Sequence, residues 1–249
     1  MTSRLLRWLL LVVLAALAMQ LFFIGRIALM ALLDPASTTF QRSEAWRLVT
    51  EKGELRWRQQ WVPYAQISDH LKRAVIASED GDFINHDGVE WEAIQKAWDK
   101  NAKAEEQAAR RAARAPPGKP APPAKAPKIV GGSTITQQLA KNLLLSGERT
   151  LLRKGQEFVL TLALERLLSK QRILEIYLNH VEWGEGVFGA EAAAQHYFRK
   201  PASKLSAYEA ARLAVMLPRP KYFEKLPNSP YLSSRAATIL ARMGDAVVP

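Results

Sequence analysis

The stretch GGSTITQQLAKNLLLSGERTLLRKGQE, Gly131–Glu157, decides how this chain is read, because polar and charged residues recur in it on what the pattern makes helix. A Gly pair and a Ser or Thr able to cap a helix open it, and good helix formers follow through Leu145. At helical spacing Thr134, Gln138 and Lys141 share one face, with Gln137 one turn before Lys141, and Ser133 stands at the start. Ser146 and Gly147 end this helix. Thr150 caps the next, in which Arg153 and Glu157 are four apart, with Lys154 between them and Arg149 just before the start. Lys and Arg clustered beside helix N-termini suit a phosphate ester, since side-chain charge and unpaired backbone N–H groups both favour an anion there. A solvated amphipathic helix with an ordinary Arg–Glu pair explains the same pattern, so the function has to be decided elsewhere.

The 249 residues are 48% apolar and carry a net charge of +11. That length and composition support one domain, or one domain and a small lobe, with a real core, and exclude a disordered chain. Cysteine is absent, which removes disulfides and thiolate metal sites, and the four histidines lack ligand spacing, so no dedicated metal site is expected. The positive charge points to nucleic acid, acidic lipid or a phosphorylated substrate. No recognition helix or stacking motif supports nucleic acid.

Trp8–Ile24, WLLLVVLAALAMQLFFI, is an almost unbroken apolar run, continued after Gly25 and Arg26 by IALMALL and closed by Asp34 and Pro35. It predicts one N-terminal transmembrane helix. Arg4 and Arg7 before it place the N-terminus in the cytoplasm and the bulk of the chain on the far side. A cleaved signal peptide is the competing reading, but the run ends without a small-x-small site.

From Thr38 to Tyr64 short extended or irregular structure is expected. Ser68 then caps a helix through Ala77 that delivers Glu79 at its C-terminal end, an electrostatically unhelpful place for an acid and so a candidate for function. Residues 99–128 read as a basic Pro/Ala-rich insertion, helix-prone at first and then low-complexity, with disorder expected. Lys96–Lys128 holds nine basic and three acidic residues, +6 of the net charge. Leu151–Leu168 is an apolar helix, Ser169 caps the next with Ile173, Leu174, Tyr177 and Leu178 as core, and Ser206 with Glu209 forms a capping box for the helix that Pro218 and Pro220 stop. Gly184, Gly186 and Gly189 read as a turn-rich loop. Strand signals are few, so the fold class is mainly α.

Ordered along the chain stand E-D-x-x-F-x-x-H-x-G (Glu79, Asp80, Phe83, His86, Gly88), G-G-S-T-I-T-Q-Q-x-x-K-N (Gly131–Asn142), R-K-x-x-E (Arg153, Lys154, Glu157) and I-L-E-x-Y-L-N (Ile173–Asn179). Together they resemble glycosyltransferase family 51, the peptidoglycan glycosyltransferases, and within it the monofunctional branch. The likeness runs from about Ile67 to Pro220, and departs from the family at 95–128, where the family's connection is much shorter. It implies a lysozyme-like helical lobe with a smaller membrane-proximal lobe. The expected organisation is an anchor over 1–35, a membrane-proximal linker over 36–66 and a glycosyltransferase domain over 67–240.

By the same resemblance Glu79 is the general base acting on the 4-hydroxyl of lipid II. The anomeric carbon of the lipid-linked glycan strand is attacked with inversion, and undecaprenyl pyrophosphate leaves. Lys141, Arg149, Arg153 and Lys154 hold that leaving group, while Ser133, Gln137 and Gln138 position sugar or phosphate oxygens. Glu157 is the second acid, orienting those cations or a divalent ion; no cofactor is required by the sequence, though the family admits Mg or Mn. Asp80, Phe83 and His86 shape the loop. The implied setting is the bacterial inner membrane, single-pass, with a periplasmic catalytic domain and other cell-wall synthesis proteins as partners. A lysozyme-like glycan hydrolase and a non-catalytic membrane-anchored scaffold compete with this reading. The chain contains no S-x-x-K with a K-T-G partner, so peptide cross-linking is not expected of it.

Overall fold

The computed structural model describes residues 2–113, 133–148 and 150–249. In chain order they form α1 (Thr2–Leu29), α2 (Thr39–Arg47), β1 (Arg58–Gln59), α3 (Asp69–Glu79), α4 (Trp91–Ala113), α5 (Ile135–Leu144), α6 (Leu151–Leu167) and α7 (Lys170–His180). Then follow β2 (Glu182–Gly184), β3 (Val187–Phe188), α8 (Ala190–Phe198), α9 (Ala207–Met216), α10 (Pro220–Phe223) and α11 (Pro230–Arg242). The fold is mainly α, and α1 is long and apolar enough to cross a membrane, with mean hydropathy 2.4 over Arg4–Leu29.

Local chemistry sets most helix starts. The side chains of Ser68, Thr134, Thr150, Ser169 and Ser206 each accept a backbone N–H of the first turn that follows them. α3 continues past Ala77 to Glu79, which becomes its last helical residue. Two segments depart from the sequence expectations. Residues 39–47 are helical rather than irregular, because Thr38 and Gln41 close a capping box: Gln41 N–H donates to Thr38 Oγ1 at 3.0 Å and Thr38 N–H to Gln41 Oε1 at 2.8 Å. In the insertion, 99–113 continues α4 and is helical, while 114–128 lies outside the described residues.

α9 packs against both α3 and α11, which also touch each other. Ala74 and Ala77 of α3, Ala210, Ala211 and Ala214 of α9 and Ala236 of α11 are all buried, and their small side chains let the helices approach closely. Asn179, fully buried on α7, ties the linker to this core: its Oδ1 accepts Val62 N–H at 2.9 Å and its Nδ2 donates to Val62 O at 3.0 Å. Arg172 on the same helix gathers the end of the anchor, donating to the carbonyls of Met30 at 2.8 Å and Leu33 at 3.0 Å and to Asp34 at 2.7 Å.

The glycine stretch read as a loop is a small hairpin. β2 pairs antiparallel with β3, and β3 pairs parallel with β1. Gly186 has φ +73°, and a Cβ there would stand 1.9 Å from the carbonyl oxygen of Arg56. Arg58 N–H donates to Gly186 O at 2.8 Å, so this glycine is where the linker docks onto the hairpin. Gly186→Ala should therefore lose about 1–3 kcal/mol of stability from left-handed strain, before the steric clash is added. Urea unfolding followed by tryptophan fluorescence checks this, and an unchanged midpoint would show that the linker does not need that contact.

Candidate active site

Asp80, the residue after α3, is buried, and both its oxygens are committed. Oδ2 accepts Ile135 N–H, the first turn of α5, at 2.9 Å, and Oδ1 meets His86 Nε2 at 2.7 Å. Gly88 N–H donates to His86 Nδ1 at 3.0 Å, and Thr134 Oγ1 donates to Gly88 O at 2.6 Å. Burial alone would lower the His86 pKa, but the hydrogen bond and charge of Asp80 outweigh it and the pKa is raised. Phe83 is fully buried beneath this loop, with the Lys170 ammonium 4.6 Å from its ring centroid. Asp80, Phe83 and His86 thus sit where they shape the loop around Glu79.

The same arrangement sets α3 beside α5. Gln138 Nε2 donates to Glu79 Oε2 at 2.9 Å, and Tyr177 from α7 donates its hydroxyl to Gln138 Oε1 at 2.9 Å. Burial raises the Glu79 pKa above its ordinary 4.5; the hydrogen bonds from Gln138 and Ser78 oppose the shift, and the charge of Asp80 adds to it. Tyr177 is buried with its pKa raised well above the usual 10, chiefly by burial and then by Glu79 and Asp80, so it stays a proton donor to Gln138.

Ser133, Gln137, Gln138, Lys141, Arg153, Lys154 and Glu157 line one cleft of about 760 Å³. Glu79 is not among its lining residues and reaches the wall through Gln138. The side-chain Oε1 of Gln137 is committed to capping α5, accepting Thr134 N–H at 3.1 Å. Glu157 is nearly buried, hydrogen-bonded by Arg153 Nη1 at 2.8 Å and by the Lys154 ammonium. Arg153 Nε is buried and has no hydrogen-bond partner among the described residues. Arg149 lies outside the described residues. Sequence reading missed Tyr177 as part of the site, as it did Glu44 and Glu182 on the cleft wall; a helical stripe and a short apolar segment carry no sign of what they face.

In both acidic clusters of the sequence motifs, candidate ligand atoms already carry hydrogen bonds within the protein. Asp80, His86 and Glu90 bring ligand atoms within 4.8 Å of one another, but Asp80 is spent on Ile135 and His86, and both His86 nitrogens are engaged. At Glu157, Arg153 and Lys154 occupy the carboxylate.

A family model described as Transglycosylase matches residues 47–110 and 124–244. The chain belongs to the transglycosylase family. The gap between the two matched segments, 111–123, falls inside the 99–128 stretch. It is 53% identical to the biosynthetic peptidoglycan transglycosylase of Burkholderia thailandensis over 235 residues, 94% of this chain and 84% of that one. With the protein of the same name from Paraburkholderia xenovorans it shares 50% identity over 238 residues, 96% of this chain and 90% of the relative.

A raised carboxyl pKa makes ionised Glu79 a cost to the fold. Its favourable contribution is full below the unfolded value of about 4.5 and is lost as pH rises through the higher folded value. Glu79→Gln should accordingly raise Tm at pH 7.5, and the gain should vanish below pH 4.5, where the carboxyl is protonated in both states. Thermal unfolding at the two pH values checks it; a Tm lowered at pH 7.5 would contradict the assigned environment.

Proposed function

We propose that this cleft polymerises lipid II by glycosyl transfer to the 4-hydroxyl of its sugar, with inversion and release of undecaprenyl pyrophosphate. The chain is a peptidoglycan glycosyltransferase, and the names of its relatives agree. The observation that carries the mechanism is that Gln138 lines the cleft beside Lys141, Arg153 and Lys154 and at the same time donates to the half-buried carboxyl of Glu79, whose pKa burial raises.

Glu79, ionised, takes the proton of the acceptor 4-hydroxyl as its oxygen attacks the anomeric carbon of the lipid-linked strand. The bond to the pyrophosphate breaks, and its electron pair goes to a phosphate oxygen facing the cations. Arg153 Nε, buried and unpaired among the described residues, is a donor suited to that oxygen. Glu157 holds Arg153 and Lys154 in place. A glycan hydrolase protonates a neutral leaving oxygen and has no use for such a cluster.

A lipid-linked substrate also explains where the cations lie. Gln20 in the apolar span and Gln156 on α6 exchange hydrogen bonds, Gln20 Nε2 to Gln156 Oε1 at 2.6 Å and Gln156 Nε2 to Gln20 Oε1 at 3.0 Å. Gln156 shares the first turns of α6 with Arg153, Lys154 and Glu157, so the cluster is tied to the anchor. Residues 5–14 of α1 leave large apolar side chains exposed, which a bilayer would cover. With Arg4 and Arg7 before the span, the N-terminus is cytoplasmic and the cleft lies on the periplasmic side of the inner membrane.

If the cations stabilise a departing pyrophosphate, their contact strengthens in the transition state. Lys141→Ala and Arg153→Ala should then each lower kcat by about 2–4 kcal/mol of transition-state stabilisation, and the double variant should fall short of additivity. Turnover of lipid II by the purified full chain measures this. Unchanged kcat in all three variants, with folding confirmed, would remove the cluster from the reaction.

A further inference from the structure

The cleft has a second wall that the transfer mechanism leaves unused, built from α2, β2 and the start of α10. Glu44 and Glu182 both line it. Glu44 is well provided with cations: Arg47 Nε donates to it at 2.9 Å, and the Lys221 ammonium hydrogen-bonds to the same oxygen. Glu182 has a poorer share. Lys221 Nζ lies 3.3 Å from its Oε1 but outside hydrogen-bond alignment, and that oxygen, on a side chain 8% exposed, has no hydrogen-bond partner among the described residues.

A structural ion pair would be aligned, and a buried carboxyl oxygen without a donor is normally shunned. Burial pushes the Glu182 carboxyl up to about 7; Lys221 and, less strongly, Arg47 oppose the shift, while Glu44 adds to it. Tyr197, on α8, stays protonated, its pKa raised by burial and then by the charges of Glu224 and Glu182. At neutral pH much of Glu182 is therefore the neutral acid, able to donate one hydrogen bond and accept another without repelling an anionic substrate.

We propose that Glu182 is a substrate-binding residue that sets specificity, its carboxyl receiving a neutral polar group of the saccharide, a hydroxyl or an acetamido, on the α2–β2 wall. This rests on the glycosyltransferase reading above. A cation is disfavoured as the occupant because Lys221 already stands beside the carboxyl. Glu44, doubly paired, serves to hold Lys221 and is not itself a contact.

The test is steady-state polymerisation of lipid II by the full chain in detergent, from pH 6 to 8.5, for wild type, Glu182→Ala and Glu182→Gln, with Tm recorded for each. Glu182→Ala should raise KM about three- to tenfold, more than it lowers kcat. Glu182→Gln keeps a neutral donor and acceptor, so it should recover most of the lost affinity. Its KM should stay flat with pH, while that of the wild type climbs as the carboxyl ionises. An unchanged KM in Glu182→Ala, or parallel pH profiles for wild type and Glu182→Gln, overturns the inference while leaving the glycosyltransferase reading intact. Should Glu182→Ala not fold, the Glu182→Gln profile decides alone. A wild type that makes no glycan from lipid II sinks the glycosyltransferase reading and this inference with it.

Discussion

The site depends on one buried carboxylate. Asp80 reaches the first backbone N–H of α5 with one oxygen and the His86 ring with the other, and it does so from the residue that ends α3. Each contact answers a local need: the start of a helix has N–H groups without intrahelical partners and a favourable potential for an anion, and a carboxylate removed from water needs donors for both oxygens. Because Glu79 is its chain neighbour and Gln138 lies one turn into α5, satisfying Asp80 also sets the distance between these two. Ionised Glu79 can only accept, so the Gln138 NH2 faces it, and the Tyr177 hydroxyl donates to the amide oxygen left on the other side. The site is thus assembled from three helices by a chain of hydrogen bonds from Tyr177 through Gln138 to Glu79.

A second constraint links this site to the anchor. An amide in an apolar span is costly unless another polar group meets it, and Gln20 finds its partner in Gln156 on the helix that carries Arg153, Lys154 and Glu157. Arg172 closes the other end of the connection by gathering the carbonyls where α1 gives way to the linker. The Gln20–Gln156 contact fixes the first turns of α6, with their cations, against the long apolar helix α1.

What the sequence made legible was local. Caps at Ser68, Thr150, Ser169 and Ser206 are short-range hydrogen bonds written in adjacent residues, and the helices they start were expected where they occur. α2 carries an equally local signal, Thr38-x-x-Gln41, that scattered tryptophans and charges obscure. The strands were invisible for a physical reason: at two or three residues each they are too short for alternation to register, and they exist because Gly186 admits the carbonyl of Arg56. The motif residues were found, but their partnerships were not. Tyr177 shares a stripe with core residues, and Glu182 sits in a short apolar stretch; only the folded chain turns one toward Gln138 and the other into the cleft wall. Helix continuing through 99–113 follows the Ala-rich, helix-prone composition of the first half of the insertion.

The most direct test of the role of Asp80 is the lipid II turnover of Asp80→Asn, measured beside its circular dichroism. The substitution keeps the shape and can still accept Ile135 N–H, but it removes the charge that strengthens both contacts, each worth about 1.5–3 kcal/mol when one partner is ionised. The prediction is a helical, folded protein whose kcat has fallen at least about tenfold because Glu79 and Gln138 are no longer held together. A folded Asp80→Asn with wild-type kcat would contradict it, and would mean that the site is organised by something other than this carboxylate.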